Sequence, residues 1–528
     1  MGFPTLLPIR VRRLFRTACL TAGLLLAVAA PAAHAQSLPP DGWWNQYASE
    51  TGFNDALWRL GTSVAAMNSN PSQTNSSSKN MLTELYWLWW VREIYPTAGR
   101  DAYQIPVLTA NADISLRTTE SERGTSYFAK VSGRAGDTAQ IDVGAIPSGV
   151  SCQASTLHNF HNRALKWETN FVTLKSNGST SYTFKDAGIL GLGCAIPQKW
   201  PGQAPIGVMV PVRVAGGEPA PIYIFGQTPL SEWSKLASTT HEGDYVYLVD
   251  GRSQFAMPNA MAVQNPNVHI NTWLWSHLRT VLKYEQLNGY GSAQDINAVE
   301  HGVFTASLAD CCAAFQRRGD LAVGWSGPIN IWTSWGDWHE YGHQYQSRWG
   351  WSWTSSLSET TVNIFSLVAC RMFKGDPSDI DLRTCHPALK DRYWDQQAVK
   401  AFLASGVSYS DFDAQDNWTK LSMFAKLLFT YGEGFYSKID VAVRAANDHG
   451  LGAANFNTDQ KKRDWFALNA SIASGHDLRV YFARWGLKIS QSTLDEIKAL
   501  NLPQPDAVAK PVGTKAATIS PFGAGSKK

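Results

Sequence analysis

The segment Trp335-Gly336-Asp337-Trp338-His339-Glu340-Tyr341-Gly342-His343-Gln344-Tyr345-Gln346 constrains this 528-residue chain more than any other stretch. Two histidines four residues apart face the same way on an α-helix, where positions i and i+4 stand one turn apart. So placed, both imidazoles reach a single Zn²⁺, and Glu340 beside them is set to take a proton from a water at the metal. Ser334-x-x-Asp337 offers a start for that helix. A chance H-E-x-x-H in a chain of this size and composition has a probability of roughly one in a hundred, and most chance matches lack a third ligand.

A third ligand is available. Glu359 lies 16 residues beyond His343, in Ser358-Glu359-Thr360-Thr361-Val362-Asn363-Ile364-Phe365-Ser366-Leu367. That run holds no other charge and turns strongly apolar after the Glu, so it reads as a buried helix carrying one carboxylate. A buried, unpaired carboxylate is costly unless something compensates it, and a metal ion does. The alternative is a helix-end Glu facing solvent. Asn363, four residues on and on the same face, is placed to hold His339 or Glu359.

The chain surrounding these motifs changes texture twice. Residues 1–35 read as a signal peptide: Arg10, Arg12, Arg13 and Arg16 form a basic start, Leu20 to Ala30 is a short apolar stretch, and Ala33-His34-Ala35 supplies a cleavage signal. The stretch is too short for a membrane span, and no later run of about 18 apolar residues exists. Residues 36–102 read as a helical segment. From 103 to 265, short alternating runs such as Ala139-Gln140-Ile141-Asp142-Val143 and Ser181-Tyr182-Thr183-Phe184, bounded by Gly, Pro and Ser, read as a β-sandwich-like domain. Pro211 confines its strand, Val208 to Val212, to a sheet edge. Residues 266–502 return to 3.6-residue periodicity and read as a mainly helical catalytic domain, and 503–528 as a loose tail. The fold class expected is therefore a multidomain α+β protein.

Composition narrows the function classes. With 44% hydrophobic residues and a net charge of +3, the chain is neither mainly disordered nor a nucleic-acid binder, for no basic patch appears. Loss of the leader, with four Arg and no acid, leaves it close to neutral. Cys152, Cys194, Cys311, Cys312, Cys370 and Cys385 remain, an even number in an exported chain, with no C-x-x-C to suggest a cysteine metal site. Cys152 with Cys194 is the natural pair of the first half; the other four pair among themselves in an order left open. The 22 Trp point to large aromatic cores or to surfaces on which sugars or peptides stack. Trp349, Trp351 and Trp353, just beyond the metal helix, are the candidates for such stacking, or core residues of a half-buried strand.

H-E-x-G-H-x-x-Q, then a Trp, then E-x-x-x-N-I-F-S-L resembles the enhancin-type zinc peptidases, gluzincins that include mucin-degrading bacterial enzymes. Pro221 to Thr228 followed by Trp233, and Asp464-Trp465-Phe466 with Ala473 to Leu478 and Phe482 to Gly486, resemble further parts of the family, over about 210–500. Gly324-Trp325-Ser326-Gly327-Pro328-Ile329 stands where the family has a Gly-Tyr-Pro-Ile strand, with two extra residues before Pro328. The resemblance implies a gluzincin catalytic domain with one zinc per chain on His339, His343 and Glu359, and Glu340 as catalytic base. It implies an oxyanion donor, for which Tyr431, Tyr436 and His476 are candidates, and an edge strand for the substrate at Trp325, Gly327 and Ile329. It also implies mucin-like, O-glycosylated protein substrates.

The expected function is thus a secreted or periplasmic zinc endopeptidase acting on extracellular glycoproteins, with no nucleic-acid partner. Two readings compete with it. One is a carbohydrate- or cell-surface-binding protein on a peptidase fold, which the intact Glu340 argues against because a binder needs no base beside the metal. The other is a general protease indifferent to glycans.

Overall fold

The structure is a computed structural model that describes residues 91–505, apart from 110–125, 158–170, 197–207, 240–244, 290–303, 308–312, 316–319, 323–334, 375–384, 393–396, 448–453 and the single positions 92, 98, 269, 348 and 455. The expected signal peptide, most of the helical segment 36–102 and most of the tail lie outside these residues. So do Cys311, Cys312 and the expected edge-strand residues Trp325, Gly327 and Ile329.

The chain is mixed α/β: a strand-rich first part and a helical C-terminal half. Its residues fall into two compact units, one comprising 1–113, 122–281 and 291–333, the other 114–121, 282–290 and 334–528. Strands therefore continue past 265, into residues expected to be helical.

The first unit holds two sheets. The larger contains β1 (Tyr103–Thr109), β2 (Ser126–Gly133), β3 (Thr138–Val143), β4 (Ser151–Leu157), β5 (Val172–Thr173), β6 (Gly178–Thr183), β7 (Gly188–Ile196), β8 (Met209–Gly216) and β9 (Glu218–Pro219), in the order β5-β4-β7-β1-β8-β3-β6, with β2 between β7 and β9. Alternation drives it. In β3 the pattern is exposed-buried throughout, with Ala139, Ile141 and Val143 inward. The apolar run of β7 is buried almost end to end because it is flanked by β4 on one side and by β2 and β1 on the other. Cys152 and Cys194 stand opposite each other in β4 and β7 and form the expected disulfide.

Pro211 does not mark an edge. β8 pairs with both β1 and β3. Its partners divide its length, however: β3 pairs from Val212 onward and ends at Val143, and the carbonyl of Pro211 accepts from the N–H of Gly144 just beyond that end. The missing N–H of the proline faces the same side, where the ladder has already finished.

The smaller sheet runs β10 (Ile222–Ile224), β11 (Tyr245–Val249), β12 (Ser253–Pro258), β13 (Phe304–Ser307), β15 (Asp320–Ala322), β14 (Ala313–Phe315). Both faces of β10 to β12 are covered. Ile222, Ile224, Tyr247, Val249 and Ala256 join the core of the larger sheet, where Phe128 meets Tyr247 edge-on at 5.4 Å. The alternate residues Tyr223 and Phe255 turn the other way, onto Trp233 of α1 (Leu230–Ser238) and Trp273 of α2 (Ile270–Leu287). This two-sided burial explains why β11 reads Tyr-Val-Tyr-Leu-Val without a polar residue.

The second unit is helical among its described residues. Its core pair is α3 (Trp335–Tyr345), the helix of the H-E-x-x-H, against α5 (Asn363–Lys374), which follows the short α4 (Ser358–Thr361). Behind α3, Tyr284 donates to the carbonyl of Trp338 at 2.9 Å and Asn288 to that of Tyr345 at 2.6 Å. Farther along come α6 (Asn417–Tyr431), α7 (Glu433–Ala446) and α8 (Asp459–Ser474), which ends on Gly475 at φ 69°, a left-handed cap that favours glycine.

Trp351 and Trp353 are 0% and 1% exposed. Trp351 stacks on Tyr436, and Trp353 packs against Phe424 and Phe466. Both are core residues, closed to sugars. Trp349 is half-buried and stacks on Phe456.

Candidate metal centre

Gly342 sets how closely the two ligand-bearing parts of the chain approach. A Cβ on Gly342 would lie 2.8 Å from Val362 Cγ2, 3.0 Å from Phe365 Cβ and 3.1 Å from the Val362 carbonyl oxygen. Two packed side chains and a carbonyl stand in the way, so a side chain at 342 pushes α3 and the α4–α5 turn apart. Gly342→Ala is expected to cost about 1–3 kcal/mol of stability by overpacking. It should also weaken zinc binding by about 10–100-fold, because ligand alignment suffers. Thermal unfolding and zinc titration of the variant check this; wild-type zinc affinity would mean that the turn relaxes without moving Glu359.

With the helices this close, His339, His343 and Glu359 converge. The Nε2 atoms of His339 and His343 are 3.1 Å apart. Glu359 Oε2 lies 3.0 Å from Nε2 of His339, and its Oε1 3.5 Å from Nε2 of His343. The three residues form one group whose donor atoms all lie within 4.8 Å of one another. Four ligands at about 2.0–2.1 Å from a zinc ion are about 3.3 Å apart along the edges of their tetrahedron. The observed separations bracket that value, so the residues fit the metal.

The hydrogen bonds behind the imidazoles fix their tautomers. Asn363 Nδ2 donates to the main-chain carbonyl of Glu359 at 2.9 Å, which turns its Oδ1 toward His339 Nδ1 at 2.8 Å. Nδ1 must then carry the proton, and Nε2 presents its lone pair to the group's centre. His343 follows the same pattern. Gln346 Nε2 donates to the carbonyl of Ser358 at 2.9 Å and to the hydroxyl of Thr361, so its Oε1 faces His343 Nδ1 at 3.3 Å. In the sequence Gln346 is only the last letter of the motif; its partners lie 12 and 15 residues away, beyond the reach of local spacing.

Electrostatics match a carboxylate among imidazoles. The close approach of His339, then of His343, holds the Glu359 carboxyl far below the usual range, against a smaller opposing effect of burial. For His339, burial pushes the pKa down, but its bonds to Glu359 and Asn363 and the charges of Glu340 and Glu359 together raise it.

Glu359 differs from expectation in one respect. Its side chain is 57% exposed, not buried. The apolar run does bury, but only from Thr360 onward; Glu359 sits in the first turn of α4 and leans out over the histidines. Glu340 follows His339 in α3 and is 7% exposed.

The three oxyanion candidates are not assembled with this group by any contact among the described residues. Tyr436 is fully buried and donates to the carbonyl of Phe424 at 2.7 Å. Tyr431, whose pKa burial pushes up to about 12, lies against His476 with ring centroids 5.5 Å apart. Tyr431 ends α6, whose first residue, Asn417, accepts from Thr360 beside Glu359. At 1.5 Å per residue, Tyr431 is about 21 Å farther along that helix.

A helix carrying His-Glu-x-x-His, faced by a carboxylate from the next helical turn of the chain, defines a class: this is a zinc metallopeptidase. Within that class the chain belongs to the peptidase M60 family, enhancin and enhancin-like, whose sequence model matches residues 216–486. Solved structures share the fold. A conserved protein of Bacillus anthracis superposes with a TM-score of 0.62 at 20% identity, over 77% of this chain and 80% of that one. A metallopeptidase from Bacteroides thetaiotaomicron gives 0.58 at 17%, over 77% and 71%. The M60 catalytic domain of Clostridium perfringens ZmpC, solved with the sialyl T antigen, gives 0.57 at 13%, over 77% and 81%. Among curated proteins, a TRPM8 channel-associated factor homolog of Xenopus laevis is 22% identical over 304 residues, 55% of this chain. The match spans only 31% of that protein's length.

Proposed function

We propose that the chain is a secreted zinc endopeptidase that cleaves mucin-type glycoproteins, with one zinc ion held by His339, His343 and Glu359 and with Glu340 as general base. The observation that carries the reading is the convergence of the three donor groups at 3.0–3.5 Å beside Glu340. Zinc bound there supplies a Lewis acid that makes a water nucleophilic near neutral pH. The Glu340 carboxylate takes the proton of the attacking water and delivers it to the amide nitrogen that departs. Asn363 and Gln346 keep the Nδ1 protons of the two histidines in place, so that both rings offer Nε2.

Secretion is supported by the leader-like residues 10–35 and by the disulfides Cys152–Cys194 and Cys370–Cys385, since such bonds persist in oxidising compartments. No described helix is long and apolar enough to cross a membrane. The glycoprotein substrate is supported by the sialyl T antigen bound to the ZmpC domain, which shares the fold.

The test is hydrolysis of a mucin, of the same mucin stripped of sugar, and of casein, each with and without chelator. The expected result is chelator-sensitive cleavage, faster on the glycosylated form by about tenfold, which corresponds to about 1.4 kcal/mol of added recognition. Equal rates on all three would leave a general zinc peptidase. Sugar binding without hydrolysis would instead favour a carbohydrate-binding protein on this fold.

A further inference from the structure

Three aromatic residues from separate parts of the second unit meet beside the proposed metal ligands. Trp335 opens α3 one turn before His339, so Trp335, His339 and His343 share one stripe of the helix. Trp418 follows Asn417 at the start of α6, where Asp416 accepts from the N–H groups of Trp418 and Thr419, and Asn417 accepts from the Thr360 hydroxyl at 3.1 Å. His386 follows Cys385, whose disulfide to Cys370 ties it to α5, the helix that begins at Asn363. The His386 ring stacks on Trp418 at 4.2 Å and 18°, and lies 5.0 Å from Trp335; the two indoles are 5.7 Å apart. Trp335 shares the helix of two ligands, Trp418 adjoins a contact to the neighbour of Glu359, and His386 is tied to the helix that begins at Asn363.

All three residues are only half-buried, so their cluster keeps a face open to a ligand. The imidazole is not a generic filler. The N–H of Ala388 donates to His386 Nδ1 at 3.2 Å, which leaves the ring proton on Nε2. Burial keeps the ring neutral by lowering its pKa from the ordinary histidine value. Nε2–H has no hydrogen-bond partner among the described residues, so one oriented donor stands at an aromatic shelf near the reacting centre.

We propose that Trp335, His386 and Trp418 form a substrate subsite, in which the rings pack against a flat group and His386 Nε2–H donates to an oxygen at its rim. A pyranose ring and a peptide or aromatic side-chain plane both offer this chemistry. The inference rests on the site being that of a peptidase, and His386 is assigned a role in binding substrate rather than metal.

The experiment measures binding of a glycopeptide, and of the same peptide without sugar, to protein made inactive by Glu340→Gln. Zinc content and unfolding temperature are followed in every variant. In that background His386→Ala should weaken glycopeptide binding about 3–10-fold, the worth of one neutral hydrogen bond, at unchanged zinc content. His386→Gln, whose amide N–H stands near the position of Nε2–H, should restore most of the loss, which a purely structural role would not. A loss confined to the glycopeptide identifies the sugar as the occupant; an equal loss on both identifies the peptide. With Glu340 restored, the His386→Ala change should appear in KM with kcat retained, the mark of binding made equally in ground and transition states. Unchanged dissociation constants in a zinc-loaded, folded His386→Ala protein, or a Gln variant as weak as Ala, would overturn the subsite. Absence of zinc from the parent protein would instead overturn the peptidase site on which it rests.

Discussion

Replacing Glu340 by Gln is expected to remove turnover while leaving zinc and fold in place. The amide matches the carboxylate in shape, so the buried position beside His339 stays filled. It has no lone pair basic enough to take a proton from water, and the general-base contribution is worth about 10²–10⁴-fold in rate. The loss should fall on kcat, since the missing interaction belongs to the transition state. A variant with more than a tenth of wild-type kcat would require the base to be another residue.

Glu359→Ala is expected to fail differently, by losing the metal. With the carboxylate gone, two imidazoles remain, and two ligands do not hold zinc at the concentrations where three do. Activity should return only at high added zinc, whereas Glu340→Gln should be insensitive to added metal. Metal analysis after dialysis separates the two. If both variants lost zinc equally, the division of labour between the glutamates would be wrong. Because Glu359 is more than half exposed, its removal leaves no cavity, and the fold should survive the substitution.

The legible parts of this site were those in which chemistry and spacing are local. His339 and His343 are one helical turn apart, so their convergence needs only a helix. Asn363 is legible for the same reason, lying four residues beyond the glutamate whose carbonyl it binds. Gln346 was not, because its role depends on Ser358 and Thr361 across a helix–helix contact that only Gly342 permits. Glu359 lies with the two histidines, but not from a buried position: the apolar residues after it suggest burial, yet burial begins one residue later. For Trp351 and Trp353, of the two alternatives the sequence leaves open, the core one holds. Composition cannot tell an indole that stacks on Tyr436 inside the protein from one that waits for a sugar. The indoles that stand half-open, Trp335 and Trp418, are 83 residues apart in sequence and meet both directly and through His386.

In the fold, alternation located the strands of the larger sheet well, since each has one wet face. It is less informative in the smaller sheet, where β10 to β12 are buried on both faces and β13 to β15 lie within a region expected to be mainly helical. Pro211 lacks a ladder donor as any proline does, but the strand on that side ends one residue before it, so the lack costs nothing inside the sheet.

The amide of Asn363 grips the main chain of Glu359 with one end and the ring of His339 with the other. One side chain thus couples the two segments that carry the ligands, so that neither can shift without the other. A metal bound to the group would add stability in proportion to the logarithm of its free concentration over Kd, and the Asn363 amide would pass that gain to both segments at once.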